Sequence, residues 1–307
     1  MDSINILCAT DNDYVPYCGI MLTSLFENNK DYKFIVYILT EGLSTKNCNE
    51  LKELNRIYKN SLNIIKVDNE TIKDFPIKKG DHVSIATYYR LLAPMLLPEE
   101  IDKILYLDCD MIVNGDISSL YNIDLEGYAV AAVADEYSHE STHYDRLSIP
   151  KVGAYFNAGM LVINIKFWRE NSTAIECFKY IKENRNIIKF HDQDTLNAVL
   201  LYHKKLLPIK YNFQTGYLLV DLNLSKSLEE DIISTSKAPL IIHYTGSNKP
   251  WMRYSKQPYR DIFVRYKKMS LWSKHPFVKN LNSLKVLKYF KYNFILFLKN
   301  KSKYRKV

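Results

Sequence analysis

Paired cysteines and long apolar runs are missing from this sequence, and each absence narrows the class of protein. The five cysteines are an odd number and none forms a C-x-x-C pair, which argues against a disulfide framework and against a zinc site. There is no run of about 18 apolar residues, the length that a membrane-spanning helix needs. Asp2 stands where a signal peptide would be basic. We therefore expect a cytoplasmic protein.

Acidic residues are missing from one long segment at the C-terminal end. From Val264 to Val307 there are 13 Lys or Arg residues and no Asp or Glu, which leaves 29 basic and 34 acidic residues before it, a net charge of −5. Between residues 284 and 298, apolar side chains share one face of a predicted helix and lysines lie opposite. This pattern predicts binding to an anionic membrane surface, with docking on the protein's own body or on a partner helix as the alternative. The clean apolar face favours a bilayer, so no nucleic-acid partner is expected.

The remainder of the chain alternates strand-like and helix-like segments, which predicts an α/β protein with a mostly parallel sheet. Predicted strands cover residues 4–9, 34–39, 63–67, 104–107, 128–134 and 156–165. Predicted helices cover residues 17–28, 44–58, 84–97, 167–184 and 195–201, the last with an Asp as its N-cap. No repeat or low-complexity linker interrupts the pattern, so we predict one catalytic domain at 1–265 followed by a basic helical tail at 266–307.

Two acids follow the apolar run at 104–107. Side chains alternate along a strand, so Asp108 and Asp110 are expected on one face and Cys109 in the core, as a packing residue. At the carboxyl end of a strand in an open α/β sheet, two carboxylates lie where such folds bind ligands, and a divalent ion held there could carry a diphosphate. Taken alone, a pair of solvated acids at a strand end is the commoner outcome.

Six motifs in one order remove that ambiguity. They are ATDNDY at 9–14, SIATYYRL at 84–91, LYLDCDMIV at 105–113, FNAGMLVIN at 156–164, HDQDTLN at 191–197 and HYTGSNKPW at 243–251. Together they resemble the retaining glycosyltransferases of family 8, which include bacterial lipooligosaccharide galactosyl- and glucosyltransferases and, more distantly, glycogenin. The resemblance covers nearly the whole chain. It implies a GT-A fold with a Rossmann-like nucleotide-binding domain, a UDP-sugar donor and Mn²⁺, with Mg²⁺ as the alternative ion.

The resemblance also implies a metal site and a cradle for the diphosphate. Its protein ligands would be Asp108, Asp110 and His243, a mixed oxygen and nitrogen set that suits Mn²⁺. Gly246 and Lys249 would lie at the diphosphate, because a glycine lets backbone approach a phosphate and a lysine neutralises it. Residues 241–251 are predicted as a last strand end followed by a glycine loop. Residues 245–249 are called the glycine loop below.

Other donor contacts are implied in the same way. Ala9 and Asp11 would contact the uridine, and Arg90 would reach the donor sugar or the diphosphate. The transferred hexose would be surrounded by Asn157, Ala158, Asp192 and Gln193. Asp135, at the end of its strand, would lie near the acceptor.

One position departs from the family pattern. Family members commonly have Asp-Asp-Asn before the tyrosine, whereas this chain has Asp11, Asn12 and Asp13. A carboxylate at 13 can accept a hydrogen bond from uracil or ribose but cannot donate one, which leaves the donor-binding role of Asp13 open.

The expected reaction is transfer of glucose or galactose from a UDP-sugar to a hydroxyl of a glycan or lipid-linked saccharide, with retention at the anomeric carbon. Gln193 stands on the far face of the sugar, and an amide is a poor nucleophile, so front-face attack is favoured, with Asp192 orienting sugar hydroxyls. A nucleotidyltransferase is one alternative, although no Gly-rich basic phosphate signature follows the first strand. A nucleic-acid-binding protein is another, prompted by the tail. We expect the enzyme at the inner face of the cell membrane.

Overall fold

The observed elements follow the predicted alternation of strands and helices. The computed structural model describes residues 3–77, 84–138, 140–219 and 224–278. The strands are β1 (Ile4–Ala9), β2 (Phe34–Thr40), β3 (Ser61–Lys66), β4 (Lys103–Leu107), β5 (Met111–Val113), β6 (Val130–Ala134), β7 (Phe156–Asn164), β8 (Lys204–Leu207), β9 (Phe213–Gln214) and β10 (Ile241–His243). The helices are α1 (Val15–Glu27), α2 (Thr45–Ile57), α3 (Ala93–Leu96), α4 (Ser118–Tyr121), α5 (Thr142–Leu147), α6 (Ile165–Glu170), α7 (Thr173–Glu183), α8 (His191–Val199), α9 (Lys226–Ser236) and α10 (Arg260–Met269).

The main sheet has seven strands in the order β3-β2-β1-β4-β7-β6-β8. Its pairs are parallel except those that β7 makes with β4 and β6, which confirms the prediction of a mixed, mostly parallel sheet. Side chains alternate between two buried clusters, one on each face. Along β4, Leu105 and Leu107 join one cluster and Ile104 and Tyr106 the other. Helices therefore cover both faces of the sheet, as parallel strands require.

A small second sheet brings the motif at 243–251 next to Asp108 and Asp110. Its order is β5-β10-β9, and β10 runs antiparallel to β5 with His243 opposite Met111. The pairing continues beyond the strands, where the backbone N–H of Tyr244 donates to the carbonyl of Asp110 at 3.0 Å. Residues more than 100 positions apart in sequence are thus held side by side.

Two predicted helices are divided in the structure. Residues 84–97 form a 3₁₀ helix, Ile85–Leu92, and then the short helix α3, with Pro94 in its first turn. Residues 167–184 divide into α6 and α7 at Ser172, whose φ is +50°. The tighter 3₁₀ turn carries Arg90 into the interior, where its side chain is buried.

The predicted start of the helix near residue 195 is wrong. Helix α8 begins at His191, its N-cap is Phe190, and no side chain caps it as an N-cap residue. Asp194 instead accepts two hydrogen bonds from the guanidinium of Arg146, at 2.7 and 2.8 Å, and one from the hydroxyl of Tyr155 at 2.7 Å. These contacts hold Asp194 inside the first turn, so Asp192 and Gln193 project from the helix start.

The described chain ends packed on the body. Helix α10 buries Phe263 and Tyr266, and the ring of Trp272 lies where a side chain at Gly19 would have to be. Val278 forms a bridge with Met252. The predicted amphipathic helix at 284–298 lies outside the described residues. Among those that are described, no helix has the length and apolar character to cross a membrane.

Removal of residues 279–307 is therefore expected to abolish binding to vesicles that contain phosphatidylglycerol, because the deleted segment carries the basic amphipathic pattern. The melting temperature should stay unchanged, since Trp272 and Val278 are kept. Co-sedimentation with anionic vesicles measures the first effect, and neutral phosphatidylcholine vesicles are the control. Undiminished binding of the truncated chain to anionic vesicles would contradict the membrane role of the tail.

Candidate active site

A cavity of about 740 Å³ opens at the edge of the main sheet where β1, β4 and β6 end. Thirteen of the fourteen residues predicted for the site line it: Ala9, Asp11, Arg90, Asp108, Asp110, Asp135, Asn157, Ala158, Asp192, Gln193, His243, Gly246 and Lys249. Because parallel strands end at one edge of a sheet, motifs far apart in sequence meet there. The cavity is large enough for a small-molecule ligand.

Asp13 is the predicted residue that the structure does not bring to the cavity. Its side chain is exposed, and it is not part of the cavity lining. Asp11 turns the chain instead, because its carboxylate accepts the backbone N–H groups of Asp13 at 3.1 Å and Tyr14 at 3.0 Å. The turn directs residue 13 to solvent at the start of α1.

Asp108, Asp110 and His243 offer ligand atoms that all lie within 4.8 Å of one another. Gly159 on β7 makes this possible, because a Cβ there would lie 2.4 Å from His243 Cε1 and 2.9 Å from Asp108 Oδ2. Cys109, between the two acids, is buried with its thiol 3.4 Å from the carbonyl of Ala9, which confirms that it faces the core.

A chain of side-chain amides determines which nitrogen of His243 faces Asp110. The carboxylate of Asp135 accepts the Nδ2 group of Asn157 at 3.2 Å, which turns Asn157 Oδ1 toward Asn212. Asn212 donates its Nδ2 to that oxygen at 3.0 Å, so its own Oδ1 faces His243 Nδ1, also at 3.0 Å. Nδ1 must therefore carry the proton, and Nε2 keeps a free lone pair.

The free lone pair of His243 points at another acceptor. Nε2 lies 3.3 Å from Oδ1 of Asp110, a buried atom without a hydrogen-bond partner among the described residues. Two acceptors that face each other repel, and the repulsion is removed either by a proton on Nε2, which makes an imidazolium that pairs with Asp110, or by a metal ion between them. Carboxylate oxygens and an imidazole nitrogen suit a divalent ion such as Mn²⁺, so the residues present fit the metal that the sequence predicts.

Arg90 supports the acids from inside the fold. Its Nη2 lies 3.0 Å from Asp108 Oδ1 and its Nε lies 3.0 Å from Asp192 Oδ2, while Nη1 donates to the carbonyl of Ala158. Burial alone would lower the pKa of Arg90, but the charges of Asp108 and Asp192 raise it above its ordinary value. Arg90 is therefore a permanent cation that orients a predicted metal ligand and a predicted sugar-binding acid together. Its contact with the donor stays a prediction.

Lys249 supports Asp110 as Arg90 supports Asp108. Its ammonium donates to Asp110 Oδ2 at 2.5 Å and to the carbonyl of Tyr244 at 2.7 Å. Burial would raise the pKa of Asp110, but the charge of Lys249 outweighs it and holds that pKa well below its usual range. Asp110 is therefore ionised at physiological pH. Gly246, three residues earlier, has a φ of +72°, which favours glycine and shapes the loop.

The predicted hexose end of the cavity is also fixed by hydrogen bonds. Gln193 accepts the backbone N–H of Ala158 at 3.0 Å and donates to Asp135 Oδ2 at 3.1 Å. Asp192 accepts the hydroxyl of Thr87 at 2.5 Å. Burial raises the pKa of Asp192, and the charge of Arg90 opposes that rise. Both side chains that were predicted to act on the sugar are thus held in one orientation.

Comparison with known proteins agrees with this geometry. The family model described as glycosyl transferase family 8 matches residues 5–255. The chain belongs to glycosyltransferase family 8. It is 30% identical to general stress protein A of Bacillus subtilis over 88% of this chain and 95% of that protein. It is also 30% identical to a lipopolysaccharide 1,2-glucosyltransferase of Escherichia coli, over 91% of this chain and 82% of that protein.

A solved structure of a galactosyltransferase confirms the fold. The galactosyltransferase LgtC, crystallised in complex with donor and acceptor sugar analogues, superposes with a TM-score of 0.79 at 25% identity, over 87% of this chain and 96% of that one. The predicted GT-A fold is therefore confirmed, and the protein is a glycosyltransferase.

Sequence reasoning missed several residues of the site. Thr87 and Tyr106 hold the carboxylates of Asp192 and Asp108, the latter at 2.6 Å. Asn212 orients His243, and Glu136 lies in the cavity wall. Glu136 had a local signal, an acid next to Asp135 at a strand end. Asn212 had none, because its role depends on contacts with residues 31 and 55 positions away.

Asn212→Leu is expected to weaken Mn²⁺ binding by about 10- to 100-fold, because His243 loses the partner that fixes its protonated nitrogen. Asn212→Asp separates the two ends of this amide, because its carboxylate still accepts from Nδ1 but cannot donate to Asn157 Oδ1. Mn²⁺ binding within about threefold of the wild type is expected if the bond to His243 is the one that matters. Electron paramagnetic resonance of free Mn²⁺ measures both. Equal affinities for wild type and Asn212→Leu would show that the amide chain does not act on the metal site.

Proposed function

We propose that this glycosyltransferase moves glucose or galactose from a UDP-sugar to a hydroxyl of a glycan or lipid-linked saccharide, with retention of the anomeric configuration and with Mn²⁺ bound. The observation that carries the proposal is the facing pair of acceptors, His243 Nε2 and Asp110 Oδ1, 3.3 Å apart beside Asp108. This arrangement calls for a cation at the point where the cavity can take a diphosphate.

The residues assigned to the UDP-sugar lie along the same edge of the sheet. Ala9 and Asp11 follow β1 and are assigned to the uridine, and Gly246 and Lys249 in the glycine loop to the diphosphate. Asn157, Ala158, Asp192 and Gln193 remain for the hexose. The relatives support a hexose, because one is named as a glucosyltransferase and another as a galactosyltransferase. Epimers that differ at one hydroxyl are separated by the placement of groups such as Asp192 and Gln193.

Breaking the bond between the sugar and the diphosphate places negative charge on the leaving group. Mn²⁺ held by Asp108, Asp110 and His243 would supply positive charge there. Lys249 adds an ammonium group already fixed beside Asp110. On the sugar side, Asp192 would accept hydrogen bonds and so orient hydroxyls as the anomeric carbon becomes electron-poor.

Gln193 favours front-face attack. Its amide oxygen already accepts a backbone hydrogen bond from Ala158 and its nitrogen donates to Asp135, and an amide oxygen is a weak nucleophile. The acceptor hydroxyl would approach on the side of the diphosphate, near Asp135. Gln193 would hold the sugar ring without forming a bond to it.

We place the enzyme in the cytoplasm at the inner membrane surface, with residues 1–265 as the catalytic domain. The tail, residues 266–307, would bring this domain to lipid-linked acceptors. Its charge supports that role, since it contains 12 Lys or Arg residues and no acid, and anionic lipid attracts such a segment. Helix α10 spans the boundary at residue 265, so the membrane-binding part would begin after the packed residues that end at Val278.

Incubation with a panel of UDP-sugars and Mn²⁺ should release UDP from UDP-glucose or UDP-galactose. Asp110→Asn should lower that release at least about a hundredfold, because the metal ion that would neutralise the leaving diphosphate loses a carboxylate ligand. Chelation should have the same effect on the wild type, and added Mn²⁺ should restore it. Formation of pyrophosphate in place of UDP would favour a nucleotidyltransferase, and activity of Asp110→Asn that resists a chelator would overturn the metal assignment.

Gln193→Ala is expected to lower turnover about tenfold or more while leaving the affinity for UDP and Mn²⁺ unchanged, because Gln193 orients the sugar and not the nucleotide. Steady-state release of UDP and titration calorimetry separate the two effects. Thermal unfolding serves as the control for the loss of the hydrogen bonds to Ala158 and Asp135. Unreduced turnover would remove Gln193 from the mechanism.

A further inference from the structure

Glu136 is a buried acid in the cavity wall for which the proposed reaction has no use. Its side chain is 9% exposed, and its Oε2 accepts the hydroxyl of Thr245 in the glycine loop at 3.2 Å. Its backbone N–H donates to Gln214 Oε1 at 2.9 Å. A Cβ at Gly216 would lie 1.5 Å from Oε2. The segment at 214–216 thus packs against Glu136 on one side, and the loop assigned to the diphosphate contacts its carboxyl on the other.

The surroundings of Glu136 do not neutralise a negative charge. Among the described residues no ion pair involves Glu136, and the ammonium of Lys249 is engaged by Asp110. Burial raises the pKa of Glu136 to about 8, and the charge of Asp135 adds to the rise. The hydroxyl of Thr245, the charge of Lys249 and the backbone N–H of Gly216 oppose it.

Two phenols also face this carboxyl. Burial raises the pKa of Tyr137, and raises that of Tyr217 well above its ordinary value, with the charges of Asp135 and Glu136 adding to both shifts. Both phenols therefore stay neutral through the pH range in which Glu136 titrates. His143, another titratable group of the cavity wall, has its pKa lowered by burial and is also neutral in that range, so Glu136 is the one of these four groups that titrates there.

We infer that Glu136 is a positioning residue for the donor, which holds the glycine loop through Thr245 and couples binding of the diphosphate to uptake of a proton. The inference rests on the proposed function, because UDP is the ligand it concerns. Glu136 lies next to Asp135, the acid assigned to the acceptor. The inference therefore extends the control of donor binding to a residue on the acceptor side of the cavity.

The physical reason is charge repulsion in a buried place. A diphosphate at Gly246 and Lys249 brings negative charge next to Thr245, and an ionised Glu136 on the other side of that hydroxyl would oppose it. A protonated Glu136 removes the repulsion and can donate a hydrogen bond to Thr245. The complex therefore favours the protonated acid, so affinity for UDP is highest below the pKa of Glu136 and is lost as the pH rises through it.

The test is titration calorimetry of UDP with Mn²⁺ in air-free buffer between about pH 7 and about pH 9. The wild-type affinity should fall about tenfold across this range, because the protonated share of an acid of pKa about 8 falls from roughly nine-tenths to one-tenth. Glu136→Gln, a neutral isostere, should match the wild type at the lower pH within about threefold and stay flat. Glu140→Gln is the matched control, an exposed acid four residues along, and should keep the wild-type curve.

Thr245 gives a second test that does not depend on the folding of Glu136→Gln. Thr245→Val should weaken UDP binding roughly three- to tenfold at the lower pH, and Thr245→Ser, which keeps the hydroxyl, should restore it. Parallel pH curves for wild type and Glu136→Gln, or a flat wild-type curve, would overturn the role of Glu136. A wild type that binds no UDP at any pH would instead overturn the proposed function itself, so the two failures are distinguishable.

Discussion

Repulsion among carboxyl groups is the constraint on which the site depends. Six Asp or Glu side chains line one cavity together with only three Lys or Arg side chains. Two of these cations, Arg90 and Lys249, are buried and already paired with Asp108 and Asp110. A divalent ion between Asp108, Asp110 and His243 would add positive charge where two carboxylates converge. The fold delivers the acids to one sheet edge, where they outnumber the Lys and Arg side chains of the cavity wall.

Neutral amides hold this cluster in place without adding charge. Asn157, Asn212 and Gln193 have both ends hydrogen-bonded, and Asn157 and Asn212 connect Asp135 to His243. An amide that donates at one end can accept at the other, so the orientation passes from Asp135 to the imidazole. Asp135 and the predicted metal ligand His243 are therefore parts of one hydrogen-bonded chain.

Local sequence patterns predicted six of the seven strands of the main sheet and missed β8, and the family motifs named thirteen residues that line the cavity. Both were insufficient wherever a distant partner decides the outcome. The bounds of β1 agree with the prediction, because an apolar run followed by a polar turn is a local signal. The predicted start of α8 was wrong, because the carboxylate of Asp194 binds Arg146, 48 residues away in sequence. Glu136 was missed because its partner, Thr245, is 109 residues away. No local pattern indicates such contacts between distant residues. The family motifs indicate them indirectly, because residues of different motifs lie together in the fold.

The central claim is that Asp108, Asp110 and His243 hold a divalent ion that carries the diphosphate of a UDP-sugar. It is tested most directly by a crystal structure with UDP and Mn²⁺, using anomalous scattering to locate manganese. We predict one manganese peak coordinated by carboxylate oxygens of Asp108 and Asp110, by Nε2 of His243 and by diphosphate oxygens. A structure with UDP in the cavity and no manganese between these three side chains would contradict the claim.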